Sequence, residues 1–140
     1  MICYAVIDTN VLVSALISNH ADAATVQLIG RLINGEIVPV YSNEIMCEYR
    51  EVLSRKKFRF EQNMINYILL AVEKYGVIVE PSPVGVILPD MKDLPFYEVV
   101  MEKREEGAYL VTGNLKHFPV KPFIVTAREL LNILGEKDRS

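Results

Sequence analysis

The chain has 140 residues, of which 51% are hydrophobic and 24% charged, enough to close one apolar core and too few for two ordinary domains, so residues 1–140 are expected to form a single domain. A formal net charge of -3 excludes a global positive field that would draw in nucleic acid, so any RNA binding has to rest on a local patch. The longest apolar runs, such as Val11 to Ile17 and Ile68 to Val72, stop short of membrane-spanning length, and no basic region followed by a cleavable apolar one opens the sequence, which predicts a soluble, cytoplasmic protein without a signal peptide.

Residues 2–7 form a short apolar run that ends abruptly at Asp8 and reads as a buried central strand with an acid just past its C-terminal end. Cys3 in this strand and Cys47 further on are flanked by apolar residues and too far apart for a metal knuckle, so both are expected to be buried free thiols. After Asn10, VLVSALI reads as a short helix. A second helix spans roughly 23–33, where Val26, Ile29, Ile33 and Leu28, Leu32 recur at helical spacing, and Asn34-Gly35 stops it.

IVPVY (37–41) reads as a strand, with Pro39 biasing it toward a sheet edge or strand end. Ser42 is the expected N-cap of a helix from Asn43 to about Lys56, with Ile45, Tyr49, Val52 and Leu53 on the buried side. Glu44 and Glu48, four apart, share one face of it. The only concentrated positive stretch follows: Arg55, Lys56, Lys57 and Arg59, interleaved with Phe58 and Phe60. It reads either as a solvated helix end favoured by the macrodipole or as a phosphate-binding patch.

A further helix over 61–75 ends at Gly76 and leads into a third strand, VIVEP. Residues 81–89, with three prolines and one glycine, form a loop that delivers Asp90 and Asp93 to a helix over 94–106, with Pro95 in the first turn and Gly107 closing it. Glu98, Glu102, Glu105 and Glu106 are expected to form a solvated face with Lys103 and Arg104. AYLVT (108–112) is the fourth strand, followed by Gly113-Asn114; Lys116 and His117 follow the same strand end and read either as surface turn residues or as contacts to RNA phosphates, with Lys116 the candidate for such a contact. The chain closes with a strand at 123–125, Thr126 as N-cap, and a helix through Leu134, about 136–140 being expected to form a disordered tail.

Strands alternating with helices on this scale predict an α/β fold, a three-layer α/β/α sandwich around a central parallel sheet. Ligands of such sheets bind beyond the carboxyl ends of the strands. Asp8, Asp90, Asp93 and Asn114 can all meet at that rim, and Glu48 would have to reach it from its helix through an otherwise apolar face, which is costly unless something positive meets it. Converging carboxylates without buried lysines or arginines repel one another. A hard divalent cation, Mg²⁺ or Mn²⁺, resolves that conflict, since it prefers oxygen ligands and can activate water for in-line attack on a phosphodiester. With two histidines far apart in sequence, His20 and His117, structural zinc is not indicated.

Four segments carry a resemblance: IDTNVLVSAL (7–16), EIMCEYREVLSRKKF (44–58), DMKDLPFYEVV (90–100) and YLVTGNLKHFP (109–119). In this order and spacing they resemble the successive signatures of PIN domains, especially the bacterial and archaeal toxin components of toxin-antitoxin systems related to the VapC ribonucleases. The resemblance implies a metal site of Asp8, Glu48 and Asp93 acting on single-stranded RNA, with Asp90 as companion acid and Asn10 and Thr112 as residues that orient the carboxylates. It also implies a small antitoxin partner and a homodimer. Many members of that family have Asp where this chain has Asn114, which can still ligate through its amide oxygen but removes a charge.

Blander readings stand beside these. Asp8 can be a turn or cap residue, Asp90 and Asp93 can cap the helix at Leu94, and Asn114 can be a turn residue. Two other functions compete: an aspartyl phosphatase with its nucleophile after the first strand, and a non-catalytic PIN-like module that binds RNA or protein.

Overall fold

The computed structural model describes residues 2–139, with side chains described as far as Glu136. Five strands, β1 (Tyr4–Ile7), β2 (Val38–Tyr41), β3 (Val77–Ile78), β4 (Tyr109–Val111) and β5 (Ile124–Val125), alternate with helices α1 (Thr9–Ile17), α2 (Ala24–Ile33), α3 (Asn43–Leu53), α4 (Gln62–Tyr75), α5 (Leu94–Glu102) and α6 (Ala127–Arg139). Every strand pair is parallel and the sheet order is β3-β2-β1-β4-β5, the α/β/α arrangement expected from the alternation.

β1 lies in the middle of the sheet, and its Ala5, Val6 and Ile7 are buried, which is why this segment reads as an unbroken apolar run rather than an alternating one. From β1 the chain winds outward to β2 and β3 on one side, then crosses back to β4 and β5 on the other. The reversal leaves a crevice at the carboxyl ends of β1 and β4, the switch point where this class of sheet binds ligands. Register closes it from below: Ile7 is paired with Val111, and the Asp8 N-H donates to the Val111 carbonyl at 2.9 Å.

Several local expectations are corrected. β2 is an interior strand although it carries Pro39. The Val38 N-H donates to Cys3 of the β1 side, whereas the Tyr41 carbonyl accepts from Val79 on the β3 side. By alternation Pro39 faces β3, whose pairing starts only at Val40, so the missing donor falls where no ladder bond is required. α3 stops at Leu53, three residues early, and the basic stretch forms a turn rather than a helix end. Cys47 is exposed while Cys3 is buried, and neither forms a disulfide. The acidic face of α5 is not uniformly solvated: half-buried Glu98 accepts from the Val84 N-H at 3.2 Å and ties down the proline-rich loop, and Arg104 lies 4.1 Å over the Phe123 ring. α6 runs beyond Leu134 to Arg139, overlapping the expected tail, and Ser140 lies outside the described residues.

The caps are those the sequence signals. Ser42 Oγ accepts from the Ile45 N-H at 3.2 Å, and Thr126 and Glu129 exchange reciprocal bonds of 3.2 and 3.0 Å in a capping box. Between α4 and β3 the chain turns at Gly76, where a Cβ would stand 2.2 Å from the Val72 carbonyl oxygen and 2.7 Å from that of Pro39. Both obstacles are backbone. Gly76→Ala is therefore expected to lower stability by about 3 kcal/mol, the upper range for overpacking, and urea denaturation checks it: an unchanged midpoint would show that the α4-β3 turn has room to spare.

Candidate functional site

The crevice at the ends of β1 and β4 is built from residues that the strands and helix entries deliver. Asp8 follows β1 directly and occupies the N-cap position of α1, yet its side chain makes no cap bond. Its Oδ2 instead accepts from the Thr112 hydroxyl at 2.8 Å and from the Asn10 side-chain amide at 3.2 Å. Asn10 is held in turn by the Gly113 N-H, 3.1 Å from its Oδ1. These bonds knit the residues after β1 to those after β4.

Glu48 reaches the crevice from α3. Its neighbour Tyr49 is buried, and the Tyr49 hydroxyl donates to the carbonyl of Ile7, which pins α3 to β1 one residue away from both acids. Glu48 Oε2 accepts from the Thr9 hydroxyl. This half-buried carboxylate therefore meets a hydroxyl at the end of β1 rather than an apolar wall. Glu44, its partner on the same helical face, is exposed, as expected for the member nearer the helix N-terminus.

Asp90 and Asp93 flank a 3-10 turn, Met91–Asp93, that leads into α5. Asp90 does the capping, its Oδ1 accepting from the Lys92 N-H at 3.0 Å, while Asp93 makes no cap bond. Asp93 Oδ2 lies 2.9 Å from His117 Nδ1 instead. Asn114 is exposed at the entry to the turn Leu115–His117 and joins the network through its backbone N-H, 3.0 Å from Thr112 Oγ1.

The three acids Asp8, Glu48 and Asp93 lie within electrostatic reach of one another. Burial first, then Asp93 and Glu48, push the Asp8 carboxyl up to about 6, while the Thr112 hydroxyl and the Asn10 backbone N-H hold it down. Burial raises Glu48 as well, opposed by Thr9 and reinforced by Asp93. Burial raises Asp93, with His117 pulling it back. Arg55 is the one guanidinium that eases Glu48, but it is exposed and already clasped by Glu51 at 2.9 Å. Side-chain hydrogen bonds fall on a single oxygen of each acid: Oδ2 of Asp8, Oε2 of Glu48 and Oδ2 of Asp93. Converging hard oxygen donors, short of positive charge and each with a second oxygen, fit a divalent cation of the Mg²⁺ or Mn²⁺ type.

The tightest potential ligand set differs from the expected triad. Among the described residues, Asp90, Asp93 and His117 bring donor atoms within 4.8 Å of one another. His117 is thus a site neighbour that the sequence reading left among the surface turn residues. Its place past the carboxyl end of a central strand is legible in the sequence, whereas its pairing with Asp93, 24 positions away, has no local signal. Beside the acids, a cleft of about 300 Å³ is lined by Glu44, Glu48, Met91, Lys92 and Glu98 among others.

Of the basic turn after α3, Arg55 lies within electrostatic reach of Glu48. Phe58 and Phe60 stack with ring centroids 5.1 Å apart and planes 5° from parallel, and Lys57 Nζ stands 5.1 Å from the Phe58 centroid. Arg59 between them adopts φ +58°, the one positive φ outside glycine among the described residues, in the left-handed region that side-chain-bearing residues rarely occupy. Lys116 is exposed beyond β4.

The family model described as PIN domain matches residues 4–116, which include Asp8, Glu48, Asp90, Asp93 and Asn114. No curated protein and no solved structure matched the chain.

Burial and crowding of the acids make stability without a cation sensitive to pH. A carboxyl whose folded pKa of about 6 lies above its unfolded value binds its proton more tightly when folded, so this contribution is fully present below about pH 4 and is lost as pH rises through 6, by up to about 3 kcal/mol for a shift of this size. Glu48 and Asp93, shifted the same way, add to it. In EDTA the thermal midpoint is expected to fall between pH 5 and 8, and Asp8→Asn to raise it at pH 8 and flatten the slope. A scanning-fluorimetry profile with the same slope in both proteins would contradict this account.

Proposed function

We propose that this chain, which belongs to the PIN-domain family, is a divalent-metal-dependent ribonuclease that hydrolyses phosphodiester bonds of single-stranded RNA. PIN domains are nucleases of divalent-metal-dependent type, and the observation that carries the reading here is the convergence of Asp8, Glu48 and Asp93 at the switch point of the sheet. In this reading those three hold Mg²⁺ or Mn²⁺, with Asn114 as a further oxygen ligand and Asp90 as companion acid. When bound, such a cation polarises the phosphoryl oxygens and makes water acidic enough to attack phosphorus.

The chain's own residues prepare that chemistry. Thr112 and Asn10 hold the Asp8 carboxylate from one side, and Thr9 holds Glu48. Preset carboxylates spare the site a reorganisation each time substrate arrives. The basic turn of Arg55, Lys56, Lys57 and Arg59, together with Lys116, supplies the phosphate contacts that a chain of net charge -3 cannot draw from its overall field, and the stacked Phe58-Phe60 pair offers an aromatic platform. The motif resemblance supports a toxin role, restrained by a small antitoxin, in a homodimeric cytoplasmic protein.

Asn114 favours a second reading, a PIN-like module that binds RNA or protein without hydrolysis, because an amide leaves the site one charge short of many relatives. One assay separates the two. Purified protein freed of metal by chelation and then supplied with Mn²⁺ or Mg²⁺ is expected to cleave labelled single-stranded RNA. Asp8→Asn is expected to lower the rate by at least about 100-fold, the upper end of what losing a ligand's hydrogen-bond partner costs. Cleavage by that variant at the wild-type rate would remove the acids from the mechanism, and wild-type RNA binding without cleavage at any concentration of either ion would establish the second reading.

The RNA track is tested separately. Exchanging Lys56 and Lys57 together for Gln is expected to weaken binding and make the plot of log affinity against log salt shallower by about 1.4, two single-strand phosphate contacts. An unchanged slope would place the contacts elsewhere.

A further inference from the structure

We propose that His117 is a positioning residue for the acidic site, its imidazole holding the Asp93 carboxylate as one end of a hydrogen-bonded clip whose other end, Thr112, holds Asp8. The inference rests on the functional reading above and adds a residue to it.

The clip is one short stretch of chain. Thr112 donates its hydroxyl proton to Asp8 Oδ2 at 2.8 Å and accepts from the Asn114 N-H at 3.0 Å. The Asn114 carbonyl accepts from the His117 N-H at 3.0 Å, closing the turn, and His117 Nδ1 lies 2.9 Å from Asp93 Oδ2. A carboxylate only accepts, so Nδ1 carries the proton and donates. Gly113 between them donates to Asn10, which also bonds Asp8. The turn therefore grips both acids, and its own shape is set by backbone bonds.

Asp93 needs such a grip more than the other two acids. Asp8 has two side-chain donors. Asp93 stands at the start of α5 without a cap bond, and among the described residues His117 alone donates to it. Without the imidazole, repulsion from Asp90, Glu48 and Asp8 would be free to turn the Asp93 side chain outward, since only 15% of it is exposed where it now stands and water lies close by. The bond engages Oδ2 and leaves Oδ1 facing no other side-chain donor, the pattern of a ligand oriented by a partner behind it. His117 itself is 39% exposed, so it can be replaced without disturbing the core.

Isothermal titration with Mn²⁺ at fixed pH, without RNA, tests the proposal on the wild type, His117→Ala, His117→Asn and Asp8→Asn, each first shown by circular dichroism to be folded. His117→Ala is expected to bind Mn²⁺ about 10- to 100-fold more weakly. His117→Asn, whose amide places a donor near the former Nδ1, is expected to recover most of that affinity. Electron spin-echo spectra of the wild-type Mn²⁺ complex should show no directly bound imidazole nitrogen. Unchanged affinity in His117→Ala, or an Asn variant as weak as the Ala variant, overturns the positioning role. A nitrogen coupling that disappears in His117→Ala overturns it too, by making His117 a ligand. Wild-type protein that takes up no Mn²⁺ removes the functional reading and this inference together, whereas uptake abolished by Asp8→Asn yet indifferent to His117→Ala sinks this inference alone.

Discussion

Like charges brought together in a partly buried crevice drive a protein apart unless something else fixes their positions, and the structure around Asp8, Glu48 and Asp93 is arranged against that repulsion. Burial raises all three carboxyls above their ordinary range, reinforced by the neighbouring acids: Asp93 and Glu48 at Asp8, Asp93 at Glu48, and Asp90 at Asp93. No lysine or arginine forms an ion pair with any of them among the described residues, and the ring nitrogen that meets Asp93 belongs to an imidazole. The cost of crowding is met by hydroxyl, amide and imidazole donors that keep the acids oriented without neutralising them. A site neutralised by lysine would be more stable and useless to a cation.

Every element of the fold contributes to holding that geometry. The central position of β1 buries its apolar side chains on both faces, so the strand cannot shift register without exposing them, and Asp8 emerges at a fixed height. The Tyr49 hydroxyl to Ile7 carbonyl bond locks α3 against that strand, one residue from Glu48 on one side and from Asp8 on the other. The capping of the 3-10 turn by Asp90 releases Asp93 from that task. Local rules of helix capping and the demands of the site are thus divided between two neighbouring acids instead of competing for one.

The fold was readable in the sequence because its signals are local and repeated. Apolar runs, stop residues and caps such as Ser42 and Thr126 announce themselves within a few positions, and their alternation leaves few topologies open. Where the reading erred, a neighbour absent from the local window decided. Pro39 reads as marking a sheet edge or a strand end, and only the short β3, whose pairing begins at Val40, shows that the strand is interior and that Pro39 sits near its start. Glu98 reads as solvated until the Val84 N-H is placed beside it, and Cys47 reads as buried because its apolar neighbours pack inward while it faces out.

The sequence by itself determined the order of elements and the parallel sheet, since strand length and chain direction are written along the chain. Only the tertiary structure decided which oxygen of each acid is engaged, that Asp90 caps while Asp93 does not, and that His117 stands beside Asp93 across 24 positions. The reason is physical: hydrogen bonds and charge repulsion act over a few ångströms of space, and the distance between two side chains is not set by their separation in sequence until the sheet has closed.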